Sequence, residues 1–401
     1  MDGNEYIDYW MGHGALILGH AHPTVTRATV SQARKGTHLG ASHELEIQWA
    51  EKIRLLVPCA RNGLVEFTSS GTEATMMALR IARAYTGEQR IIKFISHFHG
   101  WLDYTIVDYN PEYDPPLMGS YPSGVPKETC ESVAALPPND IEVVEKTIGE
   151  GDVAAVILEP GGASMGYLPT HKPFLEKLRK VTKKNGVILI FDEVVTGFRD
   201  TPGGAQEHYC VTPDISTLGK ILAGGYPGGA VAGNRKYMEM LDYKDEEGWA
   251  SRRISHPGTF NANPLCAAAG NTCLSLILKG KVHPHINHVG RKLRKGLSDA
   301  FEDAGADGLV WGTTDSIIYI GFKMTEEDLN VSNIEDYERF QEKKNADQTI
   351  LKSLEKAMIN KGIHLMGSRF ILSIKHSRQD IQETTAKFEE SLKKLKSEGI
   401  T

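Results

Sequence analysis

The chain has 401 residues, of which 24% are charged and 40% hydrophobic, and its formal net charge is −6. This acidic balance, with no basic stretch long enough to follow a phosphate backbone, argues against binding to nucleic acid. Five cysteines without paired spacing and the lack of a membrane-length apolar run favour a cytoplasmic protein, with the size of an enzyme.

The N-terminal segment "DGNEYIDYW" starts with Asp2-Gly3, a pair typical of a β-hairpin turn, and continues as a strand. The first strand of such a hairpin would precede Met1, so we expect that an N-terminal segment is missing. Residues 1–40 are predicted to form the N-terminal, truncated part of a small domain.

Between Glu44 and Gly270, helical patterns alternate with the strand-like runs "LVEF", "IIKFI", "YTIVDY", "VAAVILE", "VILIFD" and "ISTLG". Such apolar, β-branched runs between helices indicate a mostly parallel central sheet covered by helices. The helix that follows Gly71 places five residues on one face, namely Ala74, Ala78, Ile81, Ala82 and Tyr85. We assign residues 41–280 to one large α/β domain.

The C-terminal part has a different texture. Charged amphipathic helices such as "HINHVGRKLRKGLSDAFEDA" and "NADQTILKSLEKAMINKG" surround the short strands "SIIYIGF" and "RFILSIK". Residues 281–401 are therefore predicted to form a smaller α+β domain, joined by the strand near Tyr6. Within the large domain, the proline-rich run 108–126 is either a lid or a disordered surface loop.

Two candidate ligand-binding features follow predicted strands, where open α/β sheets bind their ligands. Ser70, Gly71 and Thr72 lie between a strand and a helix start, where free N–H groups bind a phosphate or where Ser70 is only an N-cap. Asp192 closes the apolar strand "VILIFD", where a carboxylate needs a partner. It could hold a cationic ring nitrogen, ligate a metal or cap the next turn.

Lys220 follows the next strand within the glycine-rich stretch "LGKILAGGYPGG". An amine in an apolar, glycine-lined site can have a lowered pKa and form a Schiff base, although a lysine that reaches solvent is the commoner case. In "HFHGW", His97 and His99 would point the same way on a strand, but no further ligand at suitable spacing supports zinc. No nucleotide-binding fingerprint is present.

Together, a phosphate cradle, an aspartate at a strand end, an aromatic residue and a lysine after a strand describe a single ligand. It is a phosphorylated, aromatic aldehyde with a cationic ring nitrogen. Pyridoxal 5′-phosphate (PLP) has all of these features.

The chain resembles the class III, fold-type I PLP-dependent aminotransferases, and most closely their glutamate-1-semialdehyde 2,1-aminomutase-like branch. The resemblance spans nearly the whole chain and rests on motifs in the family's order. They are "FTSSGTEATMMALRIAR", "FHG", "PSGVP", "EPGGASMG", "FDEVVTGFR", "LGKILAGGYPGGAVAG" and "HPGTFNANPLCAAAG". The resemblance implies the PLP-dependent transferase fold type I.

The resemblance implies roles around the cofactor ring. Asp192 would pair with the protonated ring nitrogen, and Lys220 would hold PLP as a Schiff base. Phe98 would stack on one ring face, where the family often has tyrosine, and Val194 would pack on the other. Ser164 would lie near the ring hydroxyl.

Other roles lie further from the ring. Glu159 belongs to the family's "EP" turn and is assigned to the cofactor site, as is His99 of the "FHG" motif. Ser70, Gly71 and Thr72 would bind the cofactor phosphate. Gly258 and Thr259 would reach the cofactor phosphate of a neighbouring subunit, which implies a homodimer with shared active sites.

The resemblance further implies an aminotransferase that moves an amino group from an amino acid, possibly a β-amino acid, to a keto acid. Arg369, before an apolar strand, is the candidate anchor for the substrate carboxylate, with Arg199 a weaker candidate and an exposed arginine the alternative reading of Arg369. Aminomutase is the second interpretation. Against it, the chain begins after the segment that carries the aminomutase's carboxylate-binding arginine, and it lacks an obvious match to its C-terminal glutamate. An inactive PLP-fold protein is the third.

Overall fold

The computed structural model describes residues 3–108, 122–244, 249–365 and 367–400. Most of the proline-rich run therefore lies outside the described residues. No helix within the described ranges is long and apolar enough to cross a membrane.

The chain divides into two compact units. One unit is continuous, Ala21–Leu278, whereas the other combines Met1–His20 with Lys279–Thr401. The sequence interpretation placed the first boundary later, at residue 40. The difference arises from α1 (Pro23–Ala33), which packs against a helix of the continuous unit, α12 (Pro264–Leu278).

The strands are β1 Ile7–Asp8, β2 Leu64–Thr68, β3 Arg90–Phe94, β4 Val133–Leu136, β5 Val153–Leu158, β6 Leu168–Pro169, β7 Ile188–Glu193, β8 Ile215–Leu218, β9 Gly229–Gly233, β10 Gly308–Thr314, β11 Ile317–Phe322, β12 Ile363–His364 and β13 Arg369–Ile371. The α-helices are α1, α2 Glu44–Leu56, α3 Gly71–Thr86, α4 Asp103–Ile106, α5 Lys127–Glu131, α6 Ile141–Gly149, α7 Ala163–Gly166, α8 Lys172–Asn185, α9 Ala205–Tyr209, α10 Arg235–Met238, α11 Trp249–Arg252, α12, α13 Val282–Ala304, α14 Ile334–Asn360 and α15 Arg378–Ser397.

A seven-stranded sheet with the order β2-β9-β8-β7-β5-β3-β4 forms the centre of the continuous unit. Neighbouring strands from β8 to β4 are parallel, and only β9 runs against its neighbours. Every residue of β5, β7, β8 and β9 is buried, as expected for strands covered on both faces. The predicted α/β class with a mostly parallel sheet is confirmed.

Helix α3 shows why the sequence pattern was readable. The side chain of Ser70 caps its N-terminus, and Gly87 ends it in the left-handed conformation. Ala74, Ala78 and Ile81 on the predicted face are fully buried against the sheet.

One predicted strand of this unit is wrong. Within "YTIVDY", the structure has the short helix α4 instead. The Thr105 hydroxyl donates to the Leu102 carbonyl, and the Lys93 amine donates to the carbonyls of Thr105 and Val107. Because these carbonyls are bonded to side chains, they are not needed for a sheet ladder, which favours a turn.

The second unit contains a three-stranded antiparallel sheet, β10-β11-β13, and the parallel pair β1-β12. The hairpin predicted at the N-terminus is not what β1 forms, because Ile7 pairs with Ile363. The long helices α13 and α15 pack on each other, and the buried Tyr9 hydroxyl lies 2.8 Å from that of Thr384. Both ends of the chain thus build one α+β unit.

Candidate active site

Five strands of the large sheet end at the same edge, and each is followed by a residue singled out in the sequence. Ser70 follows β2, Phe98 follows β3, Glu159 follows β5, Asp192 lies near the end of β7, and Lys220 follows β8. Because β2 and β8 both run against β9, all five chain segments have the same direction. The edge is therefore a place where several polar groups converge.

Asp192 is buried and fully hydrogen-bonded. One carboxylate oxygen accepts the N–H of Val194 at 3.0 Å and the hydroxyl of Thr217 at 3.1 Å, and the other is 2.7 Å from Nδ1 of His99. These three donors fix the position of the Asp192 carboxylate at the sheet edge, where it is suited to hold a cationic ring nitrogen.

Lys220 begins a short 3₁₀ turn, Lys220–Ala223, directly after β8. Its φ of +49° is left-handed, a conformation that is costly for a residue other than glycine and that clusters at functional sites. Burial lowers the pKa of the Lys220 amine, the carboxylates of Asp192 and Glu159 oppose this shift, and Arg199 adds to it. The amine therefore belongs to the same cluster as Asp192.

Arg199, the weaker candidate for a substrate anchor, is fully buried, with 0% of its surface exposed. It has no accessible surface for a substrate carboxylate. Its positive charge repels the protonated Lys220 amine and so lowers the pKa of Lys220.

The first turn of α3 lies beside this cluster. The Ser70 hydroxyl accepts the N–H of Glu73 at 3.2 Å, so Ser70 is the N-cap of α3. A Cβ atom on Gly71 would lie 2.9 Å from the Val194 side chain, and one on Gly219 would lie 3.1 Å from it. Val194 therefore packs between two glycine backbones.

Thr72, in the same turn, faces Gly100. A Cβ atom on Gly100 would lie 2.4 Å from the Thr72 hydroxyl oxygen, and Gly100 has a φ of +89°. Because these glycines lack side chains, Val194 and Thr72 can pack directly against their backbone. The N–H groups at the start of α3 are suited to phosphate binding at a helix N-terminus.

Phe98 lies between two buried histidines, and 44% of its own surface is exposed. Burial lowers the pKa of both His97 and His99, which keeps both rings neutral. Nδ1 of His97 accepts the N–H of Glu159 at 3.0 Å, whereas Nδ1 of His99 donates to Asp192. The two rings thus have different partners, and the described residues contain no group of His, Cys, Asp or Glu that could hold a metal.

Glu159 and Ser164 belong to the segment after β5. The buried Glu159 carboxylate accepts the N–H groups of Phe98 and Met165 at 2.7 and 3.1 Å. Burial, together with nearby Asp192, raises the pKa of Glu159 to about 8 against the opposing effect of the N–H donors and Lys220. Ser164 is half-buried in a left-handed turn with a φ of 53°.

Thr259 lies in an open groove of about 490 Å³ that is formed by residues 38–46 and 257–264. Nε2 of His38 donates to the Thr259 carbonyl, and Nε2 of His43 donates to the Ala262 carbonyl at 2.8 Å. Asn261 accepts the hydroxyl of Ser69 at 3.4 Å, which ties this loop to the residue before Ser70. The segment around Gly258 and Thr259 is thus held, while Thr259 itself stays exposed.

Arg369 belongs to the other compact unit. It begins β13 and pairs with Tyr319 of β11. Its Nε atom is buried and has no hydrogen-bond partner among the described residues.

Sequence reasoning missed Thr217, which pairs with Asp192 across β7 and β8 and donates to its carboxylate. The available signal was a hydroxyl inside the buried strand "ISTL". It also missed Lys93, whose amine is fully buried and whose pKa burial lowers to about 7. In the sequence, Lys93 is the single charged residue within the apolar run "IIKFI", and no pattern marks it as functional.

The class-III aminotransferase family matches residues 1–308, more than half of the chain. The chain belongs to this family. The cofactor of this chain is pyridoxal 5′-phosphate, and amino acids and keto acids are the substrates that the family implies.

The chain is 38% identical to a glutamate-1-semialdehyde 2,1-aminomutase of Methanothermobacter thermautotrophicus, over 99% of this chain and 90% of the relative. Among solved structures, an omega-transaminase from Sphaerobacter thermophilus aligns with a TM-score of 0.87 and 33% identity, covering 98% of this chain and 87% of that one. A beta-phenylalanine aminotransferase from Variovorax paradoxus aligns with a TM-score of 0.84 and 26% identity, over 99% and 85% of the two chains. These likenesses confirm fold type I.

The described residues fit this cofactor. Asp192 provides an anion that has no cationic side chain paired to it within the hydrogen bonds described above, and Lys220 provides a partly buried amine beside it. The N-terminus of α3 offers N–H groups suited to a phosphate, and the exposed Phe98 ring leaves a flat apolar face for stacking.

Proposed function

We propose that this class III enzyme is an aminotransferase that moves an amino group from an amino acid, possibly a β-amino acid, to a keto acid. The observation that carries the proposal is the buried cluster of Lys220 and Asp192. It combines an amine of lowered pKa with a carboxylate fixed by three donors. The likeness to a beta-phenylalanine aminotransferase supports a β-amino acid as donor.

PLP, when bound, supplies an aldehyde for attachment and a ring that withdraws electrons from the substrate carbon. Lys220 would hold PLP through its Nζ. Once freed by the substrate amine, the Nζ would accept and return the proton at the reacting carbon. Asp192 would hold the protonated ring nitrogen, and His99 keeps Asp192 in place.

The remaining residues position the cofactor. Phe98 would cover one ring face and Val194 the other, while Ser164 would lie near the ring hydroxyl. The start of α3, namely Ser70, Gly71 and Thr72, would bind the phosphate through its N–H groups and hydroxyls.

We also propose a homodimer in which Gly258 and Thr259 bind the cofactor phosphate of the partner subunit. Support comes from the groove around Thr259 and from exposed Leu39 and Phe260 beside it, since large exposed apolar side chains mark association surfaces. We propose a cytoplasmic location, in keeping with five cysteines that are all free thiols.

Aminomutase is the second candidate, favoured by the relative that is 38% identical over 99% of the chain. The two reactions differ in their need for a co-substrate. An aminotransferase requires an external keto acid to complete its cycle, whereas a mutase returns the amino group to the same carbon skeleton.

Replacing Lys220 by alanine tests the proposal. With PLP added, borohydride reduction and proteolysis should place the cofactor on the Lys220 peptide of the wild type and on no peptide of Lys220→Ala. Turnover with an amino acid and a keto acid should fall on the order of 10³-fold. Lys172→Ala, at an exposed position of α8, is the matched control and should behave as the wild type.

A Lys220→Ala enzyme with full turnover would refute the assignment of the lysine. Turnover of the wild type without any external keto acid would decide for the aminomutase. A wild type that binds no PLP would support an inactive protein of this fold.

A further inference from the structure

Two loops leave neighbouring parallel strands at the candidate active site. Residues 95–99, here called the aromatic loop, follow β3 and include Phe98, whereas residues 162–166, the left-handed turn, follow β5 and include Ser164. Strands β3 and β5 are paired in the sheet, so both loops start side by side.

Glu159 contacts both loops. Its carboxylate oxygens accept the N–H of Phe98 at 2.7 Å and the N–H of Met165 at 3.1 Å. Its own N–H donates to His97 at 3.0 Å, and its carbonyl accepts the N–H of Gly162 at 3.0 Å. One buried residue is thus bonded to the aromatic loop twice and to the left-handed turn twice.

The left-handed turn needs an external restraint. Ser164 and Met165 have φ values of 53° and 69°, and such a conformation costs about 1 kcal/mol or more for each residue with a side chain. A Cβ atom on Gly162 would lie 2.1 Å from the Leu168 carbonyl oxygen, so the backbone there is also packed closely. Loss of a hydrogen bond would let this turn relax.

The aromatic loop has a related requirement. The Phe98 ring is 44% exposed, so its own burial fixes it only in part. Its N–H donates to Glu159, and the buried rings of His97 and His99 stand on either side in the chain. The hydrogen bond to Glu159 therefore fixes the backbone from which the Phe98 ring projects.

We infer that Glu159 is a positioning residue that couples the aromatic loop to the left-handed turn, so that Phe98 and Ser164 are placed together. The inference rests on the proposed function for the roles of these two side chains, but the coupling itself is a property of the protein alone. The Glu159 carboxylate also acts on the Lys220 amine, which it faces together with Asp192 and Arg199.

Glu159→Gln tests the coupling without changing the size of the side chain. One oxygen becomes an NH₂ group that cannot accept an N–H, so one of the two loops loses its bond. In the cofactor-free protein, amide hydrogen exchange at residues 97–99 or 163–166 should become roughly tenfold faster or more. Exchange in the rest of the sheet should stay unchanged.

Glu193→Gln is the matched control. Glu193 is also buried, next to Asp192, and it accepts N–H groups of Ala205 and Gln206 and the hydroxyl of Thr196. This variant should loosen residues 205–206 and leave the aromatic loop and the left-handed turn as they are. A general loss of stability would instead affect both variants alike.

With PLP bound, the pH dependence of the cofactor's visible absorbance gives a second measurement. Above about pH 8, where Glu159 is ionised, its charge favours the protonated Lys220 nitrogen. Glu159→Gln should therefore lose the protonated form at lower pH than the wild type, whereas Glu193→Gln should match the wild type. If Glu159→Gln does not fold, Glu159→Asp keeps the charge but is too short to reach both loops. It should speed exchange and leave the midpoint near that of the wild type.

If amide hydrogen exchange in both loops is as slow in Glu159→Gln and Glu159→Asp as in the wild type, the inference is overturned. Failure of the wild type to attach PLP to Lys220 would overturn the proposed function instead. The exchange measurement would still decide the role of Glu159 in that case.

Discussion

Asp192 shows how much of a catalytic group is determined by residues around it. Its carboxylate is held in place by His99, Thr217 and the Val194 N–H, and each of these lies on a different segment. Because a buried carboxylate requires hydrogen-bond partners, the loss of any one should weaken its hold on a ring nitrogen.

Arg369 carries the residue-scale prediction about substrate. We expect Arg369→Ala to raise the KM for the amino-acid donor roughly 10- to 100-fold, with a smaller change in kcat, because the substrate carboxylate would lose one charged hydrogen bond. The physical basis is a guanidinium whose Nε has no hydrogen-bond partner among the described residues. Steady-state kinetics with α- and β-amino acids would measure the change.

Arg291→Ala is the control for that experiment, because Arg291 is an exposed arginine of the same unit that faces Asp315. Its KM should equal that of the wild type. Equal KM values for all three proteins would show that Arg369 does not bind the substrate carboxylate.

Individual site residues were predictable where a local pattern carries the chemistry. Lys220 and Asp192 follow apolar strands, and that placement alone indicates a site at a sheet edge. The partners of Glu159 could not be predicted, because they depend on which strand becomes the neighbour of β5. That pairing is decided by the whole sheet.

At the scale of elements, β9 was missed because "GAVAG" has little strand propensity. Its glycines are required by packing, since a Cβ atom on Gly229 would lie 2.2 Å from the Ser70 carbonyl oxygen. The helix α14 was predicted only in its C-terminal part, although it begins at Ile334 with Asn333 as its N-cap. Its N-terminal half is strongly charged and presents a weaker apolar stripe.

Helix α14 also carries a buried carboxyl. Asp347 accepts the N–H of Phe322, its second oxygen has no partner among the described residues, and burial raises its pKa to about 7. A folded pKa above the unfolded one means that the stability contribution of Asp347 is complete below about pH 4 and is lost as the pH rises through 7.

Asp347→Asn should therefore raise the free energy of unfolding at pH 8 by about 2 kcal/mol and leave it nearly unchanged at pH 4. The amide still accepts the Phe322 N–H and carries no charge. Urea titrations at the two pH values would measure the difference. Asp336→Asn in the same helix is the opposite control, since hydrogen bonds and Arg339 lower the pKa of Asp336 despite its burial, so this variant should lose stability at pH 8.

For the whole molecule, the class, the sheet and the C-terminal α+β region were predictable because alternating strands and helices constrain topology strongly. The long-range pairing of β1 with β12 was not, because two-residue strands carry almost no sequence signal. Residues 21–40 were assigned to the small domain, because the sequence of helix α1 does not show which unit the helix packs against.

The proposed sharing of active sites between two subunits gives a prediction for the assembly. Lys220→Ala and Thr259→Asp should each be inactive alone, the second because a carboxylate repels the cofactor phosphate. After the two variants are unfolded together and refolded, random pairing should restore about a quarter of wild-type activity, because each mixed dimer has one intact site.

If Thr259 serves its own subunit, the mixture will stay inactive. Refolded wild type provides the reference for recovery, and each variant refolded alone provides the background. Size-exclusion chromatography of the wild type checks that the dimer forms.

The pairing of Ile7 with Ile363 has a consequence for biosynthesis. As the polypeptide leaves the ribosome, the continuous unit can collapse around its own sheet before β12 emerges. Strand β1 must wait, without its partner strand, until β12 has been made. The segment around β1 is thus exposed to proteases and chaperones during that interval.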